Sequence, residues 1–340
     1  MKYVQRVGVL TSGGDAPGMN AAIRAIVLAL GDDVDVIGYQ HGYNGLINSH
    51  SIKLDKTDVD NIIHLGGTII KSARCKEMCS IDGVKQAVST LIKDKVDALI
   101  VIGGDGSFSG LLEIEKLWQG IVIGLPGTID NDLDGTDNTI GFLSAVNTAI
   151  DAIDKIRDTA DAFDRVFIIE LMGRHSGHIA FNVGLASGAE AILSFENTDV
   201  TRPNQVVEQL AEQIVEHQNT CQNSFLICVA ENLWPGGVGQ LKEALNEFNN
   251  IDASTCILGH IQRGGAPAAT DRILATKLGV AAVEAIQNKM SGYMIGERNS
   301  QPILVKLAEA IRHTKVVPDH LIKAHQNIKA INADSHLNKS

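Results

Sequence analysis

The chain has 340 residues, 44% hydrophobic and 20% charged, with 40 Asp and Glu against 29 Lys and Arg for a formal charge of −11. That length favours two domains over one, and the acidic balance disfavours nucleic acid or an anionic membrane as the main partner. No apolar run approaches the roughly 18 to 20 residues of a membrane span, the opening MKYVQRVGVLTSGGD lacks a signal peptide's apolar core, and five scattered cysteines without a CxxC fit a reducing cytosol.

Short β-branched runs alternate with glycine-rich turns and helical patterns. Strands are predicted at Arg6 to Leu10, Val34 to Tyr39, Ala98 to Ile102, Ile121 to Leu125, Val166 to Glu170, Ala191 to Phe195, Phe225 to Val229 and Cys256 to Leu258. Most are apolar throughout rather than alternating, as in parallel strands covered on both faces. Ile23, Ile26, Val27 and Leu30 follow the i, i+3, i+4, i+7 spacing of an amphipathic helix, as do Val84, Ala87, Val88 and Leu91. A long helical pattern from about Asn138 to Arg157 bridges to a second α/β unit. The alternation predicts a doubly wound, Rossmann-like α/β fold of three-layer domains with mostly parallel sheets, and ligands at the carboxyl ends of the strands.

Four segments gather glycine and functional polar groups, each after a predicted strand. In Thr11-Ser-Gly-Gly-Asp-Ala-Pro-Gly-Met-Asn20 the glycines allow a sharp turn that offers N–H groups to an anion, although an ordinary strand-to-helix turn reads the same way. Neither GxGxxG nor GxxxxGK[ST] occurs, which excludes a Walker-type NTPase and leaves a dinucleotide dehydrogenase poorly supported. In Gly103-Gly-Asp-Gly-Ser107 the glycines admit phosphates closely, and Asp105 is a hard oxygen ligand of the kind Mg²⁺ accepts beside nucleotide oxygens. Ser107 is also expected to cap the following helix. This turn indicates a phosphate donor site without saying which acceptor. In Pro126-Gly-Thr-Ile-Asp-Asn-Asp132 one of Asp130 and Asp132 can act as general base on an acceptor hydroxyl while the other organises metal or arginine; the alternative is a turn capping the helix after Asn138. The fourth is split between Met172-Gly-Arg174 and His260-Ile-Gln-Arg-Gly-Gly265, where arginine forks and an imidazole suit a phosphorylated, hydroxyl-rich ligand.

TSGGDAPGMNAAIR, GGTIIKSAR, IGGDGS, GLPGTIDND, MGRHSG and LGHIQRGG, in this order, resemble bacterial-type ATP-dependent 6-phosphofructokinase from about residue 6 to about residue 300. The resemblance implies a glycolytic kinase that moves the γ-phosphoryl of MgATP to the 1-hydroxyl of fructose 6-phosphate. It implies a larger ATP-binding domain of residues 1–140 plus 257–308 and a smaller sugar-phosphate domain of 141–256 plus 309–340, with the active site in the cleft between them. A cytoplasmic, allosteric homotetramer is the family's usual form. Asp130 would be the base, with Asp132 in support. Thr128 and the backbone at Gly14 would hold the transferring phosphoryl, and Asp105 would bind Mg²⁺. Gly104, Gly106 and Ser107 would run along the nucleotide, with Cys75 beside Arg74, and Arg74 and Arg174 would stabilise developing charge. Met172, Gly173, Glu231, His260 and Arg263 would line the sugar phosphate site, together with Ile129, Ile261 and Gln262 of the same strings. Arg165 would reach it from a neighbouring subunit.

Pyrophosphate-dependent relatives, the nearest alternative, typically carry Asp where this chain has Gly106 and Lys where it has Gly127, so ATP is the expected donor. A second alternative, of a different class, is a catalytically reduced subunit that senses nucleotide or sugar phosphate. The chain also departs from the family pattern. Ser254 stands where a second cross-subunit arginine is usual, which implies weaker or altered affinity for fructose 6-phosphate. At the effector site, Arg24, Arg157 and Glu190 match and Lys56 replaces an arginine. Leu28 stands where an arginine is usual, and Thr220, Gln222 and Asn223 occupy a stretch usually rich in lysine. Feeble or absent regulation by ADP and phosphoenolpyruvate follows. The stretch from about Pro318 carries no readable site, and its end, INADSHLNKS, is expected to fray.

Overall fold

A computed structural model describes residues 4–220 and 224–337. Its elements run β1 (Arg6–Ser12), α1 (Met19–Leu30), β2 (Asp35–Tyr39), α2 (Tyr43–Ile47), β3 (Ser51–Leu54), α3 (Ile81–Lys93), β4 (Ala98–Gly103), α4 (Asp105–Leu117), β5 (Ile121–Pro126) and α5 (Phe142–Asp161). Then come β6 (Val166–Leu171), α6 (His178–Ala186), β7 (Ala191–Leu193), α7 (Pro203–Thr220), β8 (Phe225–Ala230), α8 (Val238–Asn249) and β9 (Ala253–Ile257). The chain closes with α9 (Ala269–Gln287), β10 (Tyr293–Arg298), β11 (Gln301–Lys306), α10 (Leu307–Ala310) and α11 (Asp319–Leu337). Two compact units result. One runs to Ala145 and resumes from Arg263 to Thr314; the other spans Val146 to Gln262 and resumes at Lys315.

The first unit is built on a seven-stranded sheet in the order β11-β10-β5-β4-β1-β2-β3. Its five inner strands are parallel, and β3 and β11 close the edges antiparallel. Every residue of β4 is buried, as a central strand covered on both faces requires. The edge strands were not predicted: β3 is four residues long and mostly exposed, and β11 carries Pro302 and Lys306 on an open rim, the usual protection of a sheet edge. Ser80 caps α3 by accepting the Gly83 amide at 3.1 Å. Helices α1 and α9 come close because Gly279 has no side chain, a Cβ there standing 2.7 Å from that of Ala25.

The second unit holds a fully parallel sheet, β7-β8-β6-β9. Helix α5, expected from about Asn138, starts at Phe142, because the preceding residues are tied elsewhere. Ile140 bridges Gly127, and the Thr139 amide donates to Asn131 Oδ1 at 3.1 Å. The start of α5 is held by Asp271, whose buried carboxylate accepts the amides of Gly141 (2.9 Å) and Ser144 (2.7 Å) and the Ser144 hydroxyl. Burial raises the Asp271 pKa above the ordinary carboxylate range, and these bonds only partly offset it. Helix α11 runs to Leu337, over part of the stretch expected to fray, and residues 338–340 lie outside the described part. Among the described residues no helix is long and apolar enough to cross a membrane.

Candidate active site

In the first unit β5, β4 and β1 lie side by side, with Ser12 opposite Gly103 and Gly103 opposite Pro126. Three glycine-rich loops therefore leave the sheet at one level, at the carboxyl ends where α/β folds bind ligands. Gly104 neighbours Thr128, a Cβ on the glycine standing 3.6 Å from that of the threonine. The Asp130 amide donates to Thr128 Oγ1 at 3.2 Å, and the Thr139 hydroxyl donates to the Thr128 carbonyl at 2.6 Å. Ile129 is fully buried and anchors the loop, and Asp130 is itself buried, 7% exposed as a whole residue. Asp132 follows two residues on, half-buried, after Asn131 in a left-handed conformation (φ 53°).

Arg263, expected at the sugar phosphate, here reaches these loops. Its Nη2 stands 4.0 Å from Asp130 Oδ1, and its Nη1 donates to the Asp15 carbonyl at 3.0 Å. The guanidinium lies against Gly14, where a Cβ would approach Nη1 to 2.6 Å. Arg74 is exposed on a segment docked along the end of β1. There the Ser72 hydroxyl donates to the Gly13 carbonyl (2.8 Å), the Gly13 amide donates to the Ala73 carbonyl (3.3 Å), and Asn44 donates to the Arg74 carbonyl (3.4 Å). Cys75 is half-buried with its thiol donating to Glu77 Oε2 at 3.4 Å; burial, mainly, raises its pKa.

Helix α4 corrects one expectation. Its N-cap is Gly104, and Ser107 is a buried residue of the first turn rather than the cap. The Ser107 carbonyl accepts the Tyr43 hydroxyl at 2.6 Å, a contact the sequence did not reveal. Tyr43 is buried, which pushes its pKa well up and keeps it a donor. The two donor-choosing glycines differ in kind. A Cβ on Gly106 would meet nothing within 4 Å, whereas one on Gly127 would stand 2.7 Å from Ile102 Cγ2 and 3.2 Å from Met19 Cε. Gly106 faces open space; Gly127 faces packed core. Asp105 is exposed in the first turn of α4. Among the described residues no group of three or more His, Cys, Asp or Glu could hold a metal. A site with one exposed carboxylate fits Mg²⁺ that arrives with nucleotide phosphates and takes most of its oxygen ligands from them and from water.

In the second unit the strands β8, β6 and β9 are neighbours, with Leu171 opposite Ala230 and Glu170 opposite Ile257. The loop after β6 is clamped from both sides. Glu231 Oε1 accepts the amides of Gly173 (3.1 Å) and Arg174 (2.5 Å), and Asn232 donates to the Arg174 carbonyl at 3.0 Å. The wholly buried Gln262 accepts the Met172 amide at 2.9 Å. These bonds hold a strained turn, with Arg174 at φ 59°. Glu231 and Gln262, expected to touch the sugar, thus shape the Met172–Arg174 loop, leaving the Arg174 side chain exposed. His260 and Ile261 are exposed as well. Glu170, not singled out from the sequence, is half-buried near this loop, and burial followed by the charge of Glu231 raises its pKa. Arg165 precedes β6 and is exposed; Ser254 lies in the edge strand β9 opposite Phe167, half-buried and uncharged.

The expected effector residues are mostly occupied. Lys56 pairs with Asp32 at 2.6 Å. Arg157 pairs with Glu190 at 3.1 Å and donates to the Ser187 and Gly188 carbonyls, while Glu190 accepts the Leu226 amide. Arg24 is half-buried on α1, with Leu28 exposed one turn on. Thr220 ends α7 with its hydroxyl donating to the Glu216 carbonyl at 2.9 Å. Gln222 and Asn223 lie outside the described residues.

The phosphofructokinase family profile matches residues 6–286. The chain belongs to the phosphofructokinase family. It is similar to ATP-dependent 6-phosphofructokinase 1 of Thermus thermophilus, 48% identical over 95% of this chain and 99% of that protein. It is also similar to ATP-dependent 6-phosphofructokinase 2 of Bacteroides thetaiotaomicron, 44% identical over 95% and 98% of the two chains. Among solved structures it resembles phosphofructokinase from Saccharomyces cerevisiae, with a TM-score of 0.81 and 35% identity over 91% of this chain; it spans 45% of the length of that one. The mixed α/β architecture with mostly parallel sheets is that of this phosphofructokinase family.

Proposed function

We propose that this protein is a glycolytic ATP-dependent 6-phosphofructokinase, converting fructose 6-phosphate and ATP into fructose 1,6-bisphosphate and ADP. The observation that carries the chemistry is the shared level of the loops after β1, β4 and β5, which gathers Gly14, Gly104, Thr128 and Asp130 with Arg263 beside the carboxylate. Asp130 takes the proton from the sugar 1-hydroxyl as that oxygen bonds to the γ-phosphorus and the bond to ADP breaks. Thr128 and the Gly14 backbone hold the transferring group, Asp132 supports the base, and Arg74 and Arg174 offset charge that grows in the transition state. Asp105 would hold Mg²⁺, which when bound neutralises phosphate charge.

Nucleotide runs along Gly104, Gly106 and Ser107, beside Arg74 and Cys75. The open space at Gly106 supports ATP over pyrophosphate as donor. Met172, Gly173, Glu231 and His260 to Arg263 serve the sugar phosphate, and Arg165 serves that of a neighbouring copy in a cytoplasmic homotetramer. The division into a nucleotide-binding and a sugar-phosphate-binding domain is part of the same reading. Asp130→Asn tests the core of it. Purified protein should turn over fructose 6-phosphate with MgATP and not with pyrophosphate, and the variant should lose about 10² to 10⁴ in kcat with the KM for ATP little changed. Undiminished turnover in Asp130→Asn would refute the assignment of the base.

A further inference from the structure

After α5 ends at Asp161 the chain turns sharply into β6. The amides of Phe163 and Arg165 both donate to the Ala160 carbonyl, at 3.2 and 3.0 Å, and Asp164 between them is left-handed (φ 52°). This turn sets the Arg165 guanidinium carbon 4.4 Å from the centroid of the Phe163 ring. The Arg165 carbonyl in turn accepts the Phe225 amide at 3.1 Å, which fixes the backbone from the sheet side. Phe163 is 64% exposed, so burial in a core is not what holds it.

An exposed arginine has wide rotamer freedom, which must be given up when it grips a ligand. Stacking on an aromatic face restrains the guanidinium and leaves its N–H rim open, and phosphate is bound through that rim. The same restraint matters more here because Ser254 puts no charge at the other expected phosphate clamp.

We propose that Phe163 is a positioning residue that pre-sets Arg165 for the phosphate of the sugar substrate. The proposal rests on the sugar-phosphate reading of Arg165 given above. It is tested by a double-mutant cycle on the full-length enzyme, with Phe163→Ala, Phe163→Tyr, Arg165→Ala and the Ala/Ala pair assayed against fructose 6-phosphate and ATP. Phe163→Ala should raise the KM for fructose 6-phosphate about two- to fivefold, roughly 0.4 to 1 kcal/mol at 1.4 kcal/mol per tenfold. Its kcat, KM for ATP, melting temperature and elution volume should match the parent's. Phe163→Tyr should restore the parent KM, and Phe163→Ala should add nothing once Arg165 is alanine. An equal KM increase with and without Arg165, a failed tyrosine rescue, or an unmoved KM in Phe163→Ala while Arg165→Ala raises it would each overturn the proposal alone. An unmoved KM in Arg165→Ala would overturn the reading of Arg165 itself, and the proposal with it.

Discussion

Alanine at Gly106 sets the backbone's preference against the ligand's. The residue lies in the first turn of α4, where a Cβ would meet nothing within 4 Å. Alanine is favoured over glycine inside a helix by about 0.5 to 1 kcal/mol, so the unliganded variant should melt about 1 to 4 °C higher than the parent. The same methyl would stand where the nucleotide phosphates are proposed to run. Loss of one close approach should raise the KM for ATP about tenfold, equivalent to about 1.4 kcal/mol, with the KM for fructose 6-phosphate unmoved. Gly127→Ala is the contrasting variant. Its Cβ would stand 2.7 Å from Ile102 Cγ2, inside buried packing, and overpacking there should cost about 1 to 3 kcal/mol. The assay pairs thermal melts without ligand with initial rates over a range of ATP at saturating sugar phosphate. A Gly106→Ala protein that melts lower, or that keeps the parent KM for ATP, would refute the reasoning.

Ser254→Arg should lower the KM for fructose 6-phosphate about ten- to hundredfold, the worth of one charged hydrogen bond at roughly 1.5 to 3 kcal/mol; an unchanged KM would count against Ser254 as a lost clamp. With Arg157 and Lys56 already paired to Glu190 and Asp32, rate curves should be hyperbolic and indifferent to ADP and phosphoenolpyruvate, and a sigmoid curve relieved by ADP would say otherwise. His178 is buried, and burial, ahead of the nearby Lys315 charge, lowers its pKa from 6.5 to about 4 despite the bond from its Nε2 to the Lys315 carbonyl. The unfolded chain therefore takes up a proton that the folded one refuses. The stability present above pH 6.5 is lost as pH falls toward 4, by up to about 3 kcal/mol. Urea melts across that window should show a shallower pH slope for His178→Gln than for the parent.

The strands that carry the loops were legible because β1, β4, β5, β6 and β8 are apolar on both faces. Strands β3, β10 and β11 were not: two of them are exposed edges whose pairing is fixed by neighbours rather than by their own composition. Glycine density marked which turns carry chemistry, but not what each side chain does within them. Gln262 and Glu231 read as ligand contacts, yet they act first on the backbone of Met172, Gly173 and Arg174. Tyr43 and Asp271 left no trace in the sequence, since their partners Ser107 and Ser144 lie 64 and 127 residues away. Such contacts are set by topology, which a single chain of letters records only indirectly. Ser107 failed as a cap for a local reason: the helix begins two residues earlier, at Asp105.

The interruption of the first unit between Ala145 and Arg263 also imposes an order on biosynthesis. The second unit's sheet has all its strands once Ile257 has been made. The unit that begins first must wait for α9, β10 and β11. At about 5 to 20 residues per second, the roughly 170 residues from Ala145 to Thr314 take about 10 to 35 s to emerge. Until β10 has been made the flank of β5 that it will cover is open, and until Asp271 has been made the start of α5 lacks its carboxylate. The second unit's sheet is therefore complete before the first unit's, although that unit's own last segment, from Lys315, is made after both. The interval between the two sheets is when an apolar strand edge is most open to a chaperone or to aggregation.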